Sequence, residues 1–325
     1  MGTYLVRRLL QTGIVMIGVT LLSFITLQLS GDPTYLYVSE RATEQEVIET
    51  RQALGFDRPL PEQYLSYMGR LVQGDFGTSL RARRPAIDLV MERLPATIEL
   101  TIMAMLIATI FSIPIGIISA MRRGTAVDGS MMLLAMFGQS IPNFWLGLML
   151  IIFVGLELQW LPISGHVPLL EPLLDGDLQT AGTNFPEAIR HLLMPAITVG
   201  VFSLSRNARL VRSAMLEVLS QDYIRTARAK GLRQFTVIIR HAFRNALIPI
   251  VTILGLEFGF LLSGVVVAET IFSWPGVGRL VFDAINQRNI PVVQASVIIF
   301  SLVFVFLNLM VDLLYAQLDP RIRLG

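Results

Sequence analysis

The sequence predicts an all-α integral membrane protein of about six transmembrane helices, on three observations. Apolar residues make up 53% of the chain and charged residues only 15%, a balance outside the soluble globular range. The apolar residues fall in unbroken runs of about 20, the length needed to span a hydrocarbon layer. Arginines gather at alternate ends of those runs, as the positive-inside rule requires. The chain has no cysteine, so it offers neither a disulfide framework nor a thiolate site.

The expected spans are 9–29, 98–120, 131–156, 189–205, 246–268 and 292–316, the fourth being the shortest. Each must be helical, because no water in the bilayer core can satisfy free backbone amides. Pro114, Pro142, Pro195 and Pro249 fall inside or at the ends of these runs, where they mark kinks. The first run is too long for a secretory signal and reads as an uncleaved helix. A cytoplasmic N-terminus puts Arg7, Arg8, Arg122, Arg123, Arg321, Arg323 and a dense cluster from Arg206 to Arg244 on one side. The outer segments then hold most of the acids, and both termini are cytoplasmic.

This topology divides the chain into a first transmembrane helix (1–30), an external segment (31–96), a five-helix core (97–316) and a cytoplasmic tail (317–325). In the external segment, Thr43 with Glu46 forms a capping box and Gly55 ends the helix it opens. Pro61 opens a second helix that stops near Gly74. A further outer loop, 157–188, is rich in Pro, Gly and acidic residues, with Trp160 as an interfacial anchor.

The cytoplasmic loop 206–245 carries the most information. Asp222 caps a short helix, Tyr223 to Lys230, and Gly231 supplies the left-handed stop. A second amphipathic helix follows, with Phe235, Ile238, Ile239, Ala242 and Phe243 on one side. Two short helices joined at a glycine make a protruding hook, and the small side chains of Ala227 and Ala229 would let a partner's groove approach closely. The bland alternative is a topology determinant or a lipid-headgroup contact.

The segment Asp222-Tyr223-Ile224-Arg225-Thr226-Ala227-Arg228-Ala229-Lys230-Gly231, followed by His241-Ala242-Phe243-Arg244-Asn245-Ala246-Leu247-Ile248-Pro249, resembles the coupling loop of binding-protein-dependent ABC importer permeases. More narrowly, it resembles the B-type subunits of the dipeptide, oligopeptide and nickel branch. In the general permease motif the positions of Glu-Ala-Ala and the later Gly fall on Arg225, Thr226, Ala227 and Gly231, so the acidic residue is missing. The resemblance also covers Gly31-Asp32-Pro33, Gly74-Asp75-Phe76-Gly77-Thr78-Ser79, Arg93-Leu94-Pro95-Ala96-Thr97, His191-Leu192-Leu193-Met194-Pro195-Ala196, Trp274-Pro275-Gly276-Val277-Gly278 and Asp319-Pro320-Arg321-Ile322-Arg323.

The resemblance implies the type I ABC importer permease fold in a multi-pass chain of the inner or plasma membrane. It also implies a paired C-type permease, two ATP-binding subunits, an external solute-binding protein and membrane lipid as partners, with no nucleic acid. The cargo would be peptide-like, although the branch extends to glutathione, nickel chelates and sugars. ATPase coupling would fall to Asp222, Arg225, Thr226, Ala227, Ala229, Gly231 and Arg233.

A P-loop needs lysine followed by Ser or Thr, whereas Lys230, the only lysine, is followed by Gly231. Nucleotide must therefore be hydrolysed on another chain, and no catalytic, metal or cofactor residue is expected. His166, His191 and His241 are far apart in sequence and fall on opposite sides of the expected topology. Glu257 and Asp312 lie within spans, where a carboxylate faces a cavity or a partner. Glu257 either lines the pathway, meeting a cation such as a peptide amino terminus, or is a hydrogen-bonded structural group. Asp312 is expected to pair with an arginine of the cytoplasmic cluster. Gly255 and Gly259, with Ser263, form a small-residue stripe for helix packing. The competing classes are an ion-coupled secondary transporter or channel, and a membrane scaffold that moves nothing.

Overall fold

The computed structural model describes the backbone of residues 2–29, 32–38 and 42–318; the side chains of 2–9, 27, 33, 36, 248, 252, 253, 255, 256, 262, 263 and 311–318 lie outside the description. The described chain is helical apart from turns and one isolated bridge between Thr78 and Pro85. The described residues separate into two compact units, 2–94 with 279–306, and 95–278 with 307–318.

The first unit holds α1 (Gly2–Leu29), α2 (Glu44–Ala53) and α3 (Leu60–Val72). The capping box that starts α2 is complete: Thr43 Oγ1 accepts the Glu46 amide, and the Glu46 carboxylate accepts the Thr43 amide at 2.8 Å. These hydrogen bonds hold the Glu46 carboxyl below its ordinary range. Gly55 and Gly74 take φ of +72° and +83°, the left-handed geometry that releases the chain after α2 and α3. Helix α3 lies on α1, where Tyr64 shares a 3.0 Å hydrogen bond with Thr20 and Gln28 donates to Gln63 at 2.8 Å. Farther along, Asn289 donates to Ser79 at 2.8 Å and accepts from the Leu80 amide at 3.2 Å. That junction fixes the Gly74–Ser79 turn against the start of α13 (Ile290–Leu318).

The second unit is built on α4 (Ala86–Met121), α5 (Ala126–Ser140), α6 (Asn143–Leu150), the short α7 (Leu170–Leu174), α8 (Leu178–Leu219), α9 (Asp222–Ala229), α10 (Gln234–Thr236) and α11 (Arg244–Ile271). Helix α12 (Val277–Asn286) begins where this unit ends. Two stretches wind as π-helix, Ile151–Glu157 after α6 and Val237–Phe243 between α10 and α11. Small residues set the approach of α4 to α8. A Cβ on Gly200 would lie 2.9 Å from the Ala104 carbonyl, and one on Gly116 would lie 2.8 Å from the Ala208 carbonyl. Backbones brought this close need glycine on one side of the contact.

Among the described residues, α4, α8 and α13 are long and apolar enough to cross a membrane, and the α5–α6 pair makes a fourth if it counts as one span. The expected third span, 131–156, is not a single helix. It bends by 99° at Ile141-Pro142, where proline supplies no amide to the preceding turn and helix restarts at Asn143. The expected fourth span, 189–205, is the middle of the 42-residue α8. Polar residues at both ends hid its length from a hydropathy reading. The expected first span gives a shorter apolar stretch, Leu10–Thr26, and the fifth lies on α11, several of whose side chains are outside the description. Exposed Leu106, Ile110 and Phe111 on α4 and Leu133, Leu134 and Phe137 on α5 present apolar surface of the kind hydrocarbon covers.

A hook, a polar waist and a tryptophan-centred clasp

The interior of the second unit is two apolar clusters with a polar waist between them. At one end Ala96, Leu100 and Ala104 of α4 meet Leu192 and Val199 of α8, Leu261 and Val265 of α11, and Trp274. At the other end Ile117 and Ala120 of α4 meet Val211 and Met215 of α8 and Ala246 and Ile250 of α11. The intervening turns of the same three helices carry Thr109, Ser203, Asn207 and Glu257. Among the described residues, Thr109 Oγ1, Ser203 Oγ, both amide atoms of Asn207 and Glu257 Oε1 are buried without a hydrogen-bond partner. Polar atoms are costly to bury unsatisfied, which sets this waist apart from the apolar clusters on either side.

Arg206 donates to the other oxygen of Glu257, which is 1% exposed. The guanidinium also lies 5.4 Å from the ring centroid of Phe260, and Phe260 stacks with Phe202 at 5.8 Å. Glu257 therefore meets a cation inside the chain rather than standing open to one. Ser203, Phe202 and Phe260 line a cavity of about 240 Å³ that reaches Asn143 and Gly264. Gly259 is half-buried on the same helix, while the side-chain positions of Gly255 and Asp312 lie outside the description.

The hook hangs from the second cluster. Gln221, not Asp222, occupies the N-cap position of α9, and it makes no side-chain cap bond. Asp222 is the first helical residue, where its charge suits the helix dipole and pairs with Arg225 at 3.3 Å. Gly231, with φ +73°, supplies the expected left-handed turn. Ile224 is fully buried and Ala227 is 7% exposed, so one face of α9 is sealed into the cluster. Ala227 thus points inward and presents nothing to a partner. Burying the Ile224 side chain stabilises this seat by about 2 kcal/mol.

The opposite face is open. Arg225, Thr226, Arg228, Ala229, Lys230 and Arg233 are exposed, and so are Leu232 and Phe235, the latter 75%. The amphipathic face expected after the glycine is different in detail: Val237, Ile238 and Ala242 are buried, whereas Phe235 and Ile239 are exposed. Within Val237–Phe243 the wider π-turn moves the apolar stripe off the α-helical period, while Phe235 precedes it on α10, which buries no residue. Asn245 donates to the Tyr223 hydroxyl at 2.8 Å, tying α9 to the first turn of α11.

Asp128 braces the hook's foundation. Arg212 of α8 donates to both of its oxygens, at 2.7 and 2.8 Å, and Ser119 and the Gly124 amide donate as well. A carboxylate at the start of α5 so locks the α4–α5 turn to α8, a bidentate arrangement that only arginine supplies.

At the other end, Trp274 is fully buried and its indole donates to the Ala96 carbonyl at 2.8 Å. Thr97 donates to Glu269 at 2.7 Å and accepts from the Val277 amide at 2.8 Å. A Cβ on Gly278 would lie 2.8 Å from the Val266 backbone, which explains the glycine in Trp274-Pro275-Gly276-Val277-Gly278. His166 packs edge-on against Trp274 at 4.5 Å and pairs with Glu99 at 2.8 Å; Glu99 also accepts the Leu169 amide at 2.9 Å. His191 and His241 take no part in this clasp, and no metal-binding cluster occurs among the described residues.

Reading the sequence singled out Glu257 but passed over Glu99, Asp128, Arg206, Arg212 and Glu269. In the sequence, Arg206 and Arg212 read only as topology charges of the basic stretch. Their spacing of six residues from each other on one long helix gives no signal for buried carboxylates on α11 and α5.

Residues 112–324 match the family described as binding-protein-dependent transport system inner membrane component, and residues 1–101 match its N-terminal membrane component. The chain is 44% identical to the di/tripeptide transport system permease protein DppB of Pseudomonas aeruginosa, with 99% of each chain covered. It is 42% identical to the dipeptide transport system permease protein DppB of Escherichia coli K12, with 98% of each covered. Identity is 40% to the glutathione transport system permease protein GsiC of the same organism, with 99% of each covered. An inward-facing structure of the MetNI methionine ABC transporter superposes with a TM-score of 0.52 at 16% identity, over 71% of this chain and 96% of that one, a likeness of fold. The chain belongs to the binding-protein-dependent transport system inner membrane components, and it is a multi-pass, pore-forming permease subunit of an ABC importer.

Proposed function

We propose that this permease forms one half of a pore that imports short peptides, delivered by an external binding protein and released by the action of two ATP-binding subunits. The peptide cargo rests on the names of full-length relatives, two of which carry di- or tripeptides. A C-type permease completes the pore. In this reading the chain crosses the membrane six times, with the bent α5–α6 pair as one crossing and both termini in the cytoplasm.

The observation that carries the coupling mechanism is the two-sidedness of α9. Its inner face, Ile224 and Ala227, is cemented into the α4–α8–α11 cluster, while its outer face and the turn into α10 present an exposed basic surface with Phe235 beside it. A rigid seat on one side and an open docking face on the other make a lever. Closure of the ATPases moves that lever, and the shared cluster carries the motion into the helices that bear the polar waist. There Ser203, Asn207 and the free oxygen of Glu257 supply hydrogen-bonding partners for a peptide backbone crossing the membrane. Asp222, Arg225, Thr226, Ala229, Gly231 and Arg233 serve the ATPase contact, and Ala227 serves the seat.

The test is reconstitution in proteoliposomes. Labelled dipeptide should enter only when permease pair, ATPases, binding protein and ATP are all present. Uptake by the permease alone along an ion gradient would overturn the importer reading, and uptake of other solutes with exclusion of peptides would overturn the cargo.

A further inference from the structure

The first unit contains a cavity of about 340 Å³, within the roughly 300–1,000 Å³ of small-molecule sites. Its wall combines three chemistries. Phe24, Phe56 and Phe76 give it apolar surface. Arg58 and Arg70 bring two guanidinium groups, neither in an ion pair among the described residues. Asp75 brings a carboxylate, placed beside the Arg70 backbone by a turn in which the Asp75 amide donates to the Arg70 carbonyl at 3.0 Å.

Glycines shape this wall. Gly74, with φ +83°, makes the turn that brings Asp75 back toward Arg70, and the Arg58 side chain lies across Gly55, 3.5 Å from where a Cβ would stand. Asp75 uses one oxygen to accept the Gly77 amide at 2.8 Å, which orients the group and leaves the second oxygen without a partner among the described residues.

A separate observation is a wall group left open to a ligand. The Gln294 side-chain amide nitrogen, on its wall, is buried and lacks a hydrogen-bond partner among the described residues. Burying such a donor without a partner is unfavourable unless a ligand or water supplies the bond. Two guanidinium groups suit a carboxylate, which arginine binds in bidentate fashion. The acidic group in the same wall disfavours a simple anion and suits an ammonium. Aromatic side chains suit what lies between the two.

We propose that this cavity is a binding site for a short peptide with free termini, its carboxylate held by Arg58 and Arg70, its amino group by Asp75 and a backbone carbonyl by Gln294. It would hold a peptide in the segment that the import reading places outside the membrane, where the binding protein delivers its cargo. The choice of ligand rests on the peptide-import reading.

The test uses the assembled transporter in lipid nanodiscs without its binding protein, titrated calorimetrically with L-alanyl-L-phenylalanine, its C-terminal amide and its N-acetyl derivative. The free dipeptide should bind saturably, and each blocked form at least tenfold more weakly. Arg58→Gln/Arg70→Gln should weaken binding at least tenfold, and Gln294→Leu several-fold, with the thermal midpoint of the complex unchanged. Equal binding of the amide, undiminished binding by the arginine variant, or no saturable binding by a transporter that imports the dipeptide would each overturn the site. ATP-dependent uptake of the same dipeptide, measured with the binding protein present, tests the cargo separately. Binding without uptake would leave the site standing and remove the peptide-import reading, and the absence of both would remove the two together.

Discussion

Arg206 of α8 holds the buried carboxylate of Glu257 on α11, at the level where the two apolar clusters of the core give way to polar side chains. The pair is lopsided, since Glu257 is 1% exposed and Arg206 is 36% exposed. A buried charge that loses its partner is costlier than a pair that never formed. Arg206→Ala should therefore destabilise the permease by about 3–5 kcal/mol, read as a lower unfolding midpoint in detergent. Arg206→Met combined with Glu257→Gln should recover most of that loss while peptide uptake stays depressed. A double variant with full uptake would show that the pair only holds the helices together.

The buried and exposed sides of the hook predict opposite phenotypes. Ile224→Ala removes a fully buried side chain from the cluster beneath the hook and should cost about 2–4 kcal/mol of stability. Phe235→Ala removes a side chain that is 75% exposed, so folding should be unaffected. On the lever reading, Phe235→Ala should reduce assembly with the ATPase subunits, measured by co-purification of the complex. Normal co-purification and normal uptake in that variant would place the docking surface elsewhere.

The hook and its glycine were legible in sequence because Gly231 has a local requirement, a positive φ that glycine adopts without strain. The capping box of α2 was legible for the same reason, as its two partners are three residues apart. Three features were not. The π-turn at Val237–Phe243 leaves no mark in the residue pattern, so the side chains assigned to one face split between core and solvent. The orientation of Ala227 depends on which side of α9 meets α4 and α8, a tertiary fact. The Asp128–Arg212 bond joins residues 84 apart, and nothing in either local segment announces the other.

The glycine stop makes a graded prediction. No atom lies within 4 Å of a Cβ built on Gly231, so a substituent there meets only backbone strain. Gly231→Ala should cost about 1 kcal/mol, and Gly231→Asn less, because asparagine tolerates the left-handed region. Gly231→Pro forces φ near −65° and should redirect the chain after α9, drawing Val237 and Ile238 away from the cluster. The expected outcome for the proline variant is normal membrane insertion with ATP hydrolysis uncoupled from uptake. Retention of full ATP-dependent uptake would sink the assigned role of the bend.

The close approach of α4 and α8 sets the last prediction, and here the steric demand is absolute. A Cβ on Gly200 would lie 2.9 Å from the Ala104 carbonyl oxygen, a backbone atom that no rotamer change can move. Gly200→Ala should therefore separate the two helices and cost about 1–3 kcal/mol, despite the higher helix propensity of alanine. Gly129 on α5 is the control, since nothing lies within 4 Å of its Cβ position. Gly129→Ala should be neutral or stabilising by up to about 1 kcal/mol, because only the propensity term remains. Unfolding midpoints of the two variants in the same detergent decide the matter: if Gly200→Ala matches Gly129→Ala, the helices are not in backbone contact at that level.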